Sequence, residues 1–391
     1  MLPTRQQLHK IAELSNQEYK TAKFVVDFLT TCNPTSIHQN IGNTGIIAIW
    51  ESENFDTTKH KTIAFRAELD ALPIPEPNNF DYKSEHQGVS HKCGHDGHMT
   101  ILLGVAQYLK ENFDTLIQQK NKRIILLFQP AEETGEGALQ MLEDKQLQKL
   151  HFKIDYFFAL HNIPSYEKKL IVCREKTFAA ASTGIIVEFE GLISHAAEPQ
   201  NGKNPALALS ELTTFLYFLS ENIIKEKENK DFVLVTVVDA ILGETSRKSL
   251  DDIAFGVSPA KARVCATLRS YLDEDLQLLS QKTEQKAQEL ANKHDLKLKI
   301  SYSEKFAATT NTPKSVELIK KAAKKLDLKY QNKEKPFSWS EDFGQFTQHF
   351  EGAMFGLGSG TNTPELHHSN YDFPDDITQT GIDMFVELIQ S

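Results

Sequence analysis

Between residues 91 and 98 the sequence reads His91-Lys92-Cys93-Gly94-His95-Asp96-Gly97-His98, which sets a thiol, three imidazoles and a carboxylate within eight positions. Thiolate and imidazole are the donors that zinc-like divalent ions prefer. Gly94 removes a side chain where the backbone must turn tightly, so that Cys93 and His95 can converge on one point. The spacing does not say which of the three histidines bind. A second concentration is Phe128-Gln129-Pro130-Ala131-Glu132-Glu133, two adjacent carboxylates just after an apolar run. Adjacent residues of an extended segment point opposite ways, so one acid can hold an ion while its neighbour faces a water or a substrate. A divalent ion lowers the pKa of its water toward ~7, and a nearby carboxylate can take the proton and return it to a leaving group. The chemistry these residues suit is metal-assisted hydrolysis.

Such residues need elements that bring them together. Gly45 to Trp50, Thr62 to Ala67, Arg123 to Gln129 and Asp155 to His161 read as strands, and 97–112 and 135–147 as helices between them. That alternation argues for an α/β domain with a mostly parallel sheet covered on both faces. In open α/β sheets the ligand crevice lies outside the carboxyl ends of the strands. Asp70 lies beyond one strand, Glu132 and Glu133 beyond a second, and His161 closes a third, so all four fall on one edge. Leu366-His367-His368-Ser369 follows the strand Ala353 to Leu357 through a turn containing Gly356, Gly358 and Gly360, and one of the two histidines can reach the same edge.

From about Ser182 the texture changes. Strands at Gly184 to Glu190, Phe232 to Val238, Ile253 to Val257, Ala262 to Leu268 and Leu296 to Ser303, with helices at 204–224 and 273–293, suggest a small α+β sandwich. The α/β texture returns after Thr309, with helices at 313–326 and 375–390, so a smaller domain is expected to be inserted into a larger one. Asn222 to Asp231 reads as a solvated loop. Met1 to Cys32 has amphipathic spacing without the continuous apolar core of a signal peptide, and reads as a surface helix.

With 43 Lys+Arg against 53 Asp+Glu, a net charge of −10 and basic residues scattered along the chain, nucleic acid is not an expected partner. The longest apolar stretch, Phe232 to Leu242, is broken by Thr236 and Asp239 and is shorter than the ~18 residues that span a bilayer. Cysteines at 32, 93, 173 and 265 lack the close spacing of a disulfide framework, which points to the cytoplasm. A chain of 391 residues buries enough surface to fold without a structural metal, so a metal site needs a chemical reason.

Seven blocks in order resemble the aminoacylase and carboxypeptidase-like metallohydrolase family, and specifically its branch of N-acyl-amino-acid amidohydrolases, which includes hippurate hydrolases and auxin-conjugate hydrolases. They are Arg66 to Pro73, His91 to His98, Gln129 to Glu133, Leu160-His161, Gly191 to Ala197 with Asn204-Pro205, Ser340 to Gly344, and Leu366 to Phe373. The resemblance implies a two-metal, aminopeptidase-like catalytic domain over 1–179 and 309–391, with an inserted ferredoxin-like lid and dimerisation domain over 180–308. It implies that Cys93, His95, Glu133, His161 and His367 bind two divalent ions, with zinc, manganese, cobalt and nickel all suited to such ligands. His368 stands as the alternative to His367. Glu132 would be the general base and Asp70 would orient a ligand. Glu68 stands where the family usually has Asp, at a position not expected to bind metal. In the inserted segment His195 would stabilise the developing oxyanion, and Arg269 can meet a substrate carboxylate or serve a structural pair.

The expected function is metal-dependent hydrolysis of the amide bond of N-acyl amino acids or related small conjugates, releasing a carboxylic acid and an amino acid. A dipeptidase or aminopeptidase of a neighbouring branch, or a catalytically silent binding homologue, are the alternatives. The expected partner is a small-molecule substrate, with neither nucleic acid nor membrane, and the chain is expected to form a homodimer or higher oligomer through the inserted domain.

Overall fold

The protein is described by a computed structural model over residues 1–150, 153–226, 231–243, 249 and 252–391. It forms two compact units: residues 1–179 with 309–337 and 341–391, and residues 180–308 with 338–340.

The first unit opens with α1 (Leu2–Lys10), α2 (Tyr19–Thr31), β1 (Ser36–Ile41), β2 (Gly45–Glu51) and β3 (Thr62–Glu68). It continues with α3 (His95–Glu111), β4 (Arg123–Gln129), α4 (Gly137–Glu143), α5 (Lys145–Leu150), β5 (Tyr156–Pro164), β6 (Ile171–Cys173) and β7 (Lys176–Ala179). The second unit holds β8 (Ala181–Glu190), β9 (Ser194–His195), α6 (Ala206–Glu226), β10 (Val233–Leu242), β11 (Val257–Ser258), β12 (Lys261–Ser270), α7 (Asp273–His294) and β13 (Lys297–Phe306). The chain then returns to the first with β14 (Thr309–Asn311), α8 (Pro313–Lys325), β15 (Tyr330–Asn332), α9 (Phe343–Thr347), β16 (Gly352–Gly360) and α10 (Thr378–Gln390).

The eight-stranded sheet of the first unit has the order β1-β2-β4-β3-β5-β16-β6-β15. Its central block β4-β3-β5-β16 is parallel, as is β6-β15, while β1-β2, β2-β4 and β6-β16 are antiparallel. Every residue of β3 and of β5 is buried, as expected for strands covered on both faces. Trp50, Phe65, Phe128 and Phe158 share a core with Leu102 and Leu103 of α3 and Phe385 of α10. The α/β class expected from the alternation is present.

In the second unit the chain order β8-α6-β10-β12-α7-β13 folds into an antiparallel sheet of order β10-β12-β8-β13, the ferredoxin-like arrangement. Burial alternates along β8 and β12, so one face of the sheet is dry. Leu212, Leu216 and Leu219 of α6 and Leu279 and Leu290 of α7 fill that face against Val187, Phe189, Val264 and Leu268.

Several local expectations are corrected. Met1 to Cys32 is two helices and not one, with a break where Asn16 takes φ 64°; α1 lies at the surface with Leu2, Pro3 and Gln7 exposed, and its inner face buries the polar Arg5 and His9 beside Leu8. The segment 135–147 falls in α4 and α5, which part at the extended Asp144. His161 does not close its strand: β5 runs on to Pro164, since β16 continues alongside it. Gly356 and Gly358 belong to β16 and not to a turn; a Cβ on Gly356 would come within 2.5 Å of the Ile163 side chain, so close strand packing selects glycine there. Of the strand expected at 253–257 only Val257 pairs, with His195, because Phe255 and Gly256 turn. Helix α6 extends through Glu226 into the run read as a loop, and 227–230 of that run lie outside the described residues.

Candidate metal centre

Three parallel strands set the level of the site. Glu68 at the end of β3 stands opposite Gln129 of β4. Ala159 of β5 stands opposite Arg66, so His161 two residues on is level with Glu68. The chain leaving β3 carries Asp70 and the chain leaving β4 carries Glu132 and Glu133, so the carboxyl ends of three strands deliver acids and an imidazole to one edge. Helix α3 begins there at His95. Gly94 caps it at φ 96°, and a Cβ at that position would lie 2.5 Å from Asn162 Oδ1, so both the left-handed backbone and the neighbouring side chain require glycine.

The donors converge. Cys93 Sγ lies 3.5 Å from His161 Nε2. His95 donates its Nδ1–H to the Asp70 carbonyl at 2.9 Å, and His161 donates its own to the Asn162 carbonyl at 2.8 Å. Fixing Nδ1 in this way is how a ligand histidine is usually oriented, and it leaves Nε2 for an ion. His95 Nε2 stands 3.8 Å from Glu132 Oε2 and 3.8 Å from Glu133 Oε1. His95 Nε2 and Glu133 Oε1 are buried with no hydrogen-bond partner. Asp70 braces the arrangement: Oδ2 accepts from Ser15 Oγ at 2.7 Å and from the Glu133 N–H at 3.0 Å, while Oδ1 is 3.3 Å from His95 Nδ1.

His367 arrives from the chain after β16 with φ 65°, and its N–H donates to the Lys92 carbonyl at 2.8 Å. Its Nε2 is 3.6 Å from Glu133 Oε2. Among the described residues five groups of donors have their atoms within 4.8 Å of one another; two of them, Cys93–His95–His161 and Cys93–Glu133–His367, share Cys93, and another, Glu68–His95–His98, brings in Glu68, a position not expected to bind metal. Glu132 joins His95 and Glu133 in a further group. His368 is exposed, accepts the Asn370 N–H at 3.2 Å on Nδ1, and belongs to no such set among the described residues.

Other residues shape the site without having been assigned a role from the sequence. Arg66 contacts Glu68, Glu341 at 2.6 Å and Asp342 at 2.7 Å. Glu68 also accepts from His98 Nδ1 at 2.8 Å, and the other nitrogen of His98 meets the Asn162 side chain. Glu132, Glu341 and Asp342 form a buried carboxylate group, and the Asp342 N–H points to Glu132 Oε1 at 3.4 Å. The adjacent acids of Ser340-Glu341-Asp342 were the available signal, the same signal that marked Glu132-Glu133. His91 is buried with neither nitrogen paired, and burial pushes it down to about 3, so it is neutral.

Electrostatics follow from this crowding. Burial and repulsion from Glu341, Glu133 and Asp342 hold the Glu132 carboxyl well above its usual range, against the pull of Arg66. Burial likewise pushes Glu133 up to about 8, although His95 opposes it. The Cys93 thiol is raised by burial and by Glu133 and Glu132. His95 is raised as well, to about 10: burial lowers it, but Asp70, Glu68 and Glu133 outweigh that burial. The cluster carries more negative charge than Arg66 balances, and its soft and hard donors with orphaned lone pairs fit divalent cations.

The remaining two candidates lie in the second unit. His195 is exposed on β9, where its Nδ1 accepts the Ala197 N–H at 3.1 Å. Arg269 on β12 donates to the Ser338 carbonyl at 2.9 Å and to Ser340 Oγ at 2.7 Å.

The sequence model of Peptidase family M20/M25/M40 matches residues 64–391, and the chain belongs to that family. The hippurate hydrolase of Campylobacter jejuni is 30% identical over 388 residues, 98% of this chain and 94% of that protein. Among solved structures, a Bacillus subtilis dinuclear metal binding peptidase of the M20 family superposes with a TM-score of 0.78 at 23% identity, covering 99% of this chain and 96% of the other. The aminobenzoyl-glutamate utilization protein of Klebsiella pneumoniae superposes with a TM-score of 0.71 at 19% identity, covering 99% and 94%. The protein is a metal-dependent amidohydrolase of this family.

The raised protonation of the donors has a measurable sign. Without an ion, Glu133 at about 8 and the raised Cys93 thiol are protonated at pH 7, and His95 at about 10 is an imidazolium. Ligands must shed those protons, so ion binding is expected to release protons and to weaken as pH falls below about 10, the value for His95, and more steeply below about 8, where Glu133 also takes up its proton. Calorimetry in buffers of different ionisation enthalpy measures this; binding without proton release at pH 7 would show that these groups are not the ligands.

Proposed function

We propose that the protein hydrolyses the amide bond of N-acyl amino acids or related small amide conjugates, releasing a carboxylic acid and an amino acid. The observation that carries this reading is the pair of donor sets sharing Cys93 with the buried Glu132 beside them. The relatives called hippurate hydrolase and aminobenzoyl-glutamate utilization protein support the substrate class, since both names contain an acylated amino acid. In this reading Cys93, His95, Glu133, His161 and His367 hold two divalent ions. When bound, these ions supply an acidified water and offset the charge that develops on the substrate carbonyl.

The chain's own residues do the rest. Glu132 takes a proton from the attacking water and returns it to the departing amine; burial and the neighbouring Glu341, Glu133 and Asp342 raise its carboxyl, and bound divalent ions would offset that negative charge and leave it ionised to accept the proton. The Asp342 N–H fixes the orientation of Glu132, and Asp70 fixes that of His95. We assign His195 to the developing oxyanion and Arg269 to a substrate carboxylate.

Among the described residues no helix is long and apolar enough to cross a membrane. Four free cysteines, one of them a proposed ligand, support a cytoplasmic location. A homodimer through the second unit is supported by its exposed edge strand β10, with Leu234 and Val238 uncovered, and by exposed Tyr217 and Phe218 on α6. Sedimentation analysis is expected to give a dimer, and a monomer at micromolar concentration would contradict that assignment.

The main experiment is a panel of acyl-amino acids and dipeptides offered to the metal-loaded protein. Glu132→Gln is expected to keep its metal and lose about 10²–10⁴-fold in kcat. His195→Ala is expected to lower kcat, and Arg269→Ala to raise KM. Equal rates for wild type and Glu132→Gln would remove the proposed base, and turnover of dipeptides alone would move the enzyme to a neighbouring branch.

A further inference from the structure

Helix α1 carries two basic side chains that are fully buried, Arg5 and His9, four residues apart and so on one face. Arg5 donates from Nη1 to Asp96 at 3.1 Å and to Asp372 at 2.8 Å, and grips Asp375 from Nε at 2.7 Å and Nη2 at 3.2 Å. His9 stands between two carboxylates, with Nδ1 2.7 Å from Asp96 and Nε2 3.0 Å from Glu76. Lys92, also buried, pairs with Glu76 and donates to the Tyr371 carbonyl at 2.8 Å. The network thus joins the segment that carries Cys93 and His95 to the segment that carries His367. None of its side chains belongs to a donor set, and Arg5 and His9 precede the stretch 64–391 that the family model matches.

The two donor sets depend on this network unequally. His161 sits within β5 and its ring is held by the adjacent Asn162 carbonyl. His367 sits in a loop whose residues from Thr361 to Asn370 are exposed or half-exposed, and its own side chain is 52% exposed. Its backbone is pinned to Lys92, and the loop is next anchored at Tyr371, Asp372 and Asp375, three residues the network grips. A buried ion network of this kind adds little stability over apolar packing, while its geometry is well determined by the fork of the guanidinium.

We propose that Arg5, backed by His9 on Asp96, is a positioning residue that clamps the His367 loop onto the Cys93 loop, so that loosening the clamp weakens ion binding at Cys93–Glu133–His367 while sparing Cys93–His95–His161. This rests on the reading above that His367 is a ligand.

Cobalt(II) titration of the full-length protein, followed by calorimetry and visible absorption, separates the two claims. Wild type is expected to bind two ions. Arg5→Met and Asp375→Asn are expected to bind the first ion as wild type does and the second about 10–100-fold more weakly, the range seen when residues behind a ligand are changed. Arg5→Lys, which keeps the charge and loses the fork, should recover part of the loss. Asp375 is one-third exposed, so Asp375→Asn tests the clamp even where Arg5→Met fails to fold. His367→Ala in the same titration provides the reference. If His367→Ala loses the second ion while Asp375→Asn, with any folded Arg5→Met, holds both at wild-type affinity, the clamp is wrong and the ligand reading stands. If His367→Ala also holds both, His367 is not a ligand and the clamp falls with it.

Discussion

Six carboxyl groups, of Glu68, Asp70, Glu132, Glu133, Glu341 and Asp342, are crowded with the Cys93 thiol around Arg66 and His95 at the carboxyl ends of three parallel strands. Taking a carboxylate out of water is costly unless it is paired or bound to a metal. Arg66 answers Glu68, Glu341 and Asp342 on one side. On the other side Cys93, Glu132 and Glu133 have His95, and their raised protonation is the imprint of charge left without a partner. The same imbalance draws cations to the site.

The fold holds that charge in place by rigidity at different depths. Strands β3, β4 and β5, buried on both faces, fix the level at which Glu68, Glu132 and His161 emerge. Gly94 lets α3 begin against Asn162, and Gly97 lets the Phe373 ring lie directly on that helix, where a Cβ would be 2.3 Å away. The exposed loop bearing His367 has no such scaffold. Its anchorage comes from the hydrogen bond of the His367 N–H to the Lys92 carbonyl and from the hold of Lys92 and Arg5 on Tyr371, Asp372 and Asp375, which is how the remote α1 comes to bear on the site.

Much of this was legible in the sequence because the signals were local. Strand, turn and acid follow one another within a few residues at Asp70 and at Glu132-Glu133, and the density of donors around Cys93 needs no partner from elsewhere to be noticed. The order of strands and helices in the second unit likewise reads from alternation. What stayed hidden was long-range or short. Arg5 meets Asp96 across 91 residues and Asp372 and Asp375 across 367 and 370, and the amphipathic spacing of Met1 to Cys32 carries no sign of such partners. Asp96 looked like one more donor in a dense motif, yet it turns to Arg5 and His9. The three-residue strands β6 and β15 are too brief to show a period. The glycines of β16 imitate a turn, although it is the Ile163 side chain and the Glu167 carbonyl lying close by that exclude a Cβ there.

The claim on which these assignments turn is that the buried charge is balanced by two divalent ions that share Cys93. Anomalous scattering from crystals of the manganese- or zinc-loaded protein, recorded at the absorption edge of the metal, tests it directly. The account expects two peaks, one among Cys93, His95 and His161 and one among Cys93, Glu133 and His367, both in contact with the Cys93 sulfur. A single peak, or peaks that leave Cys93 untouched, would contradict it.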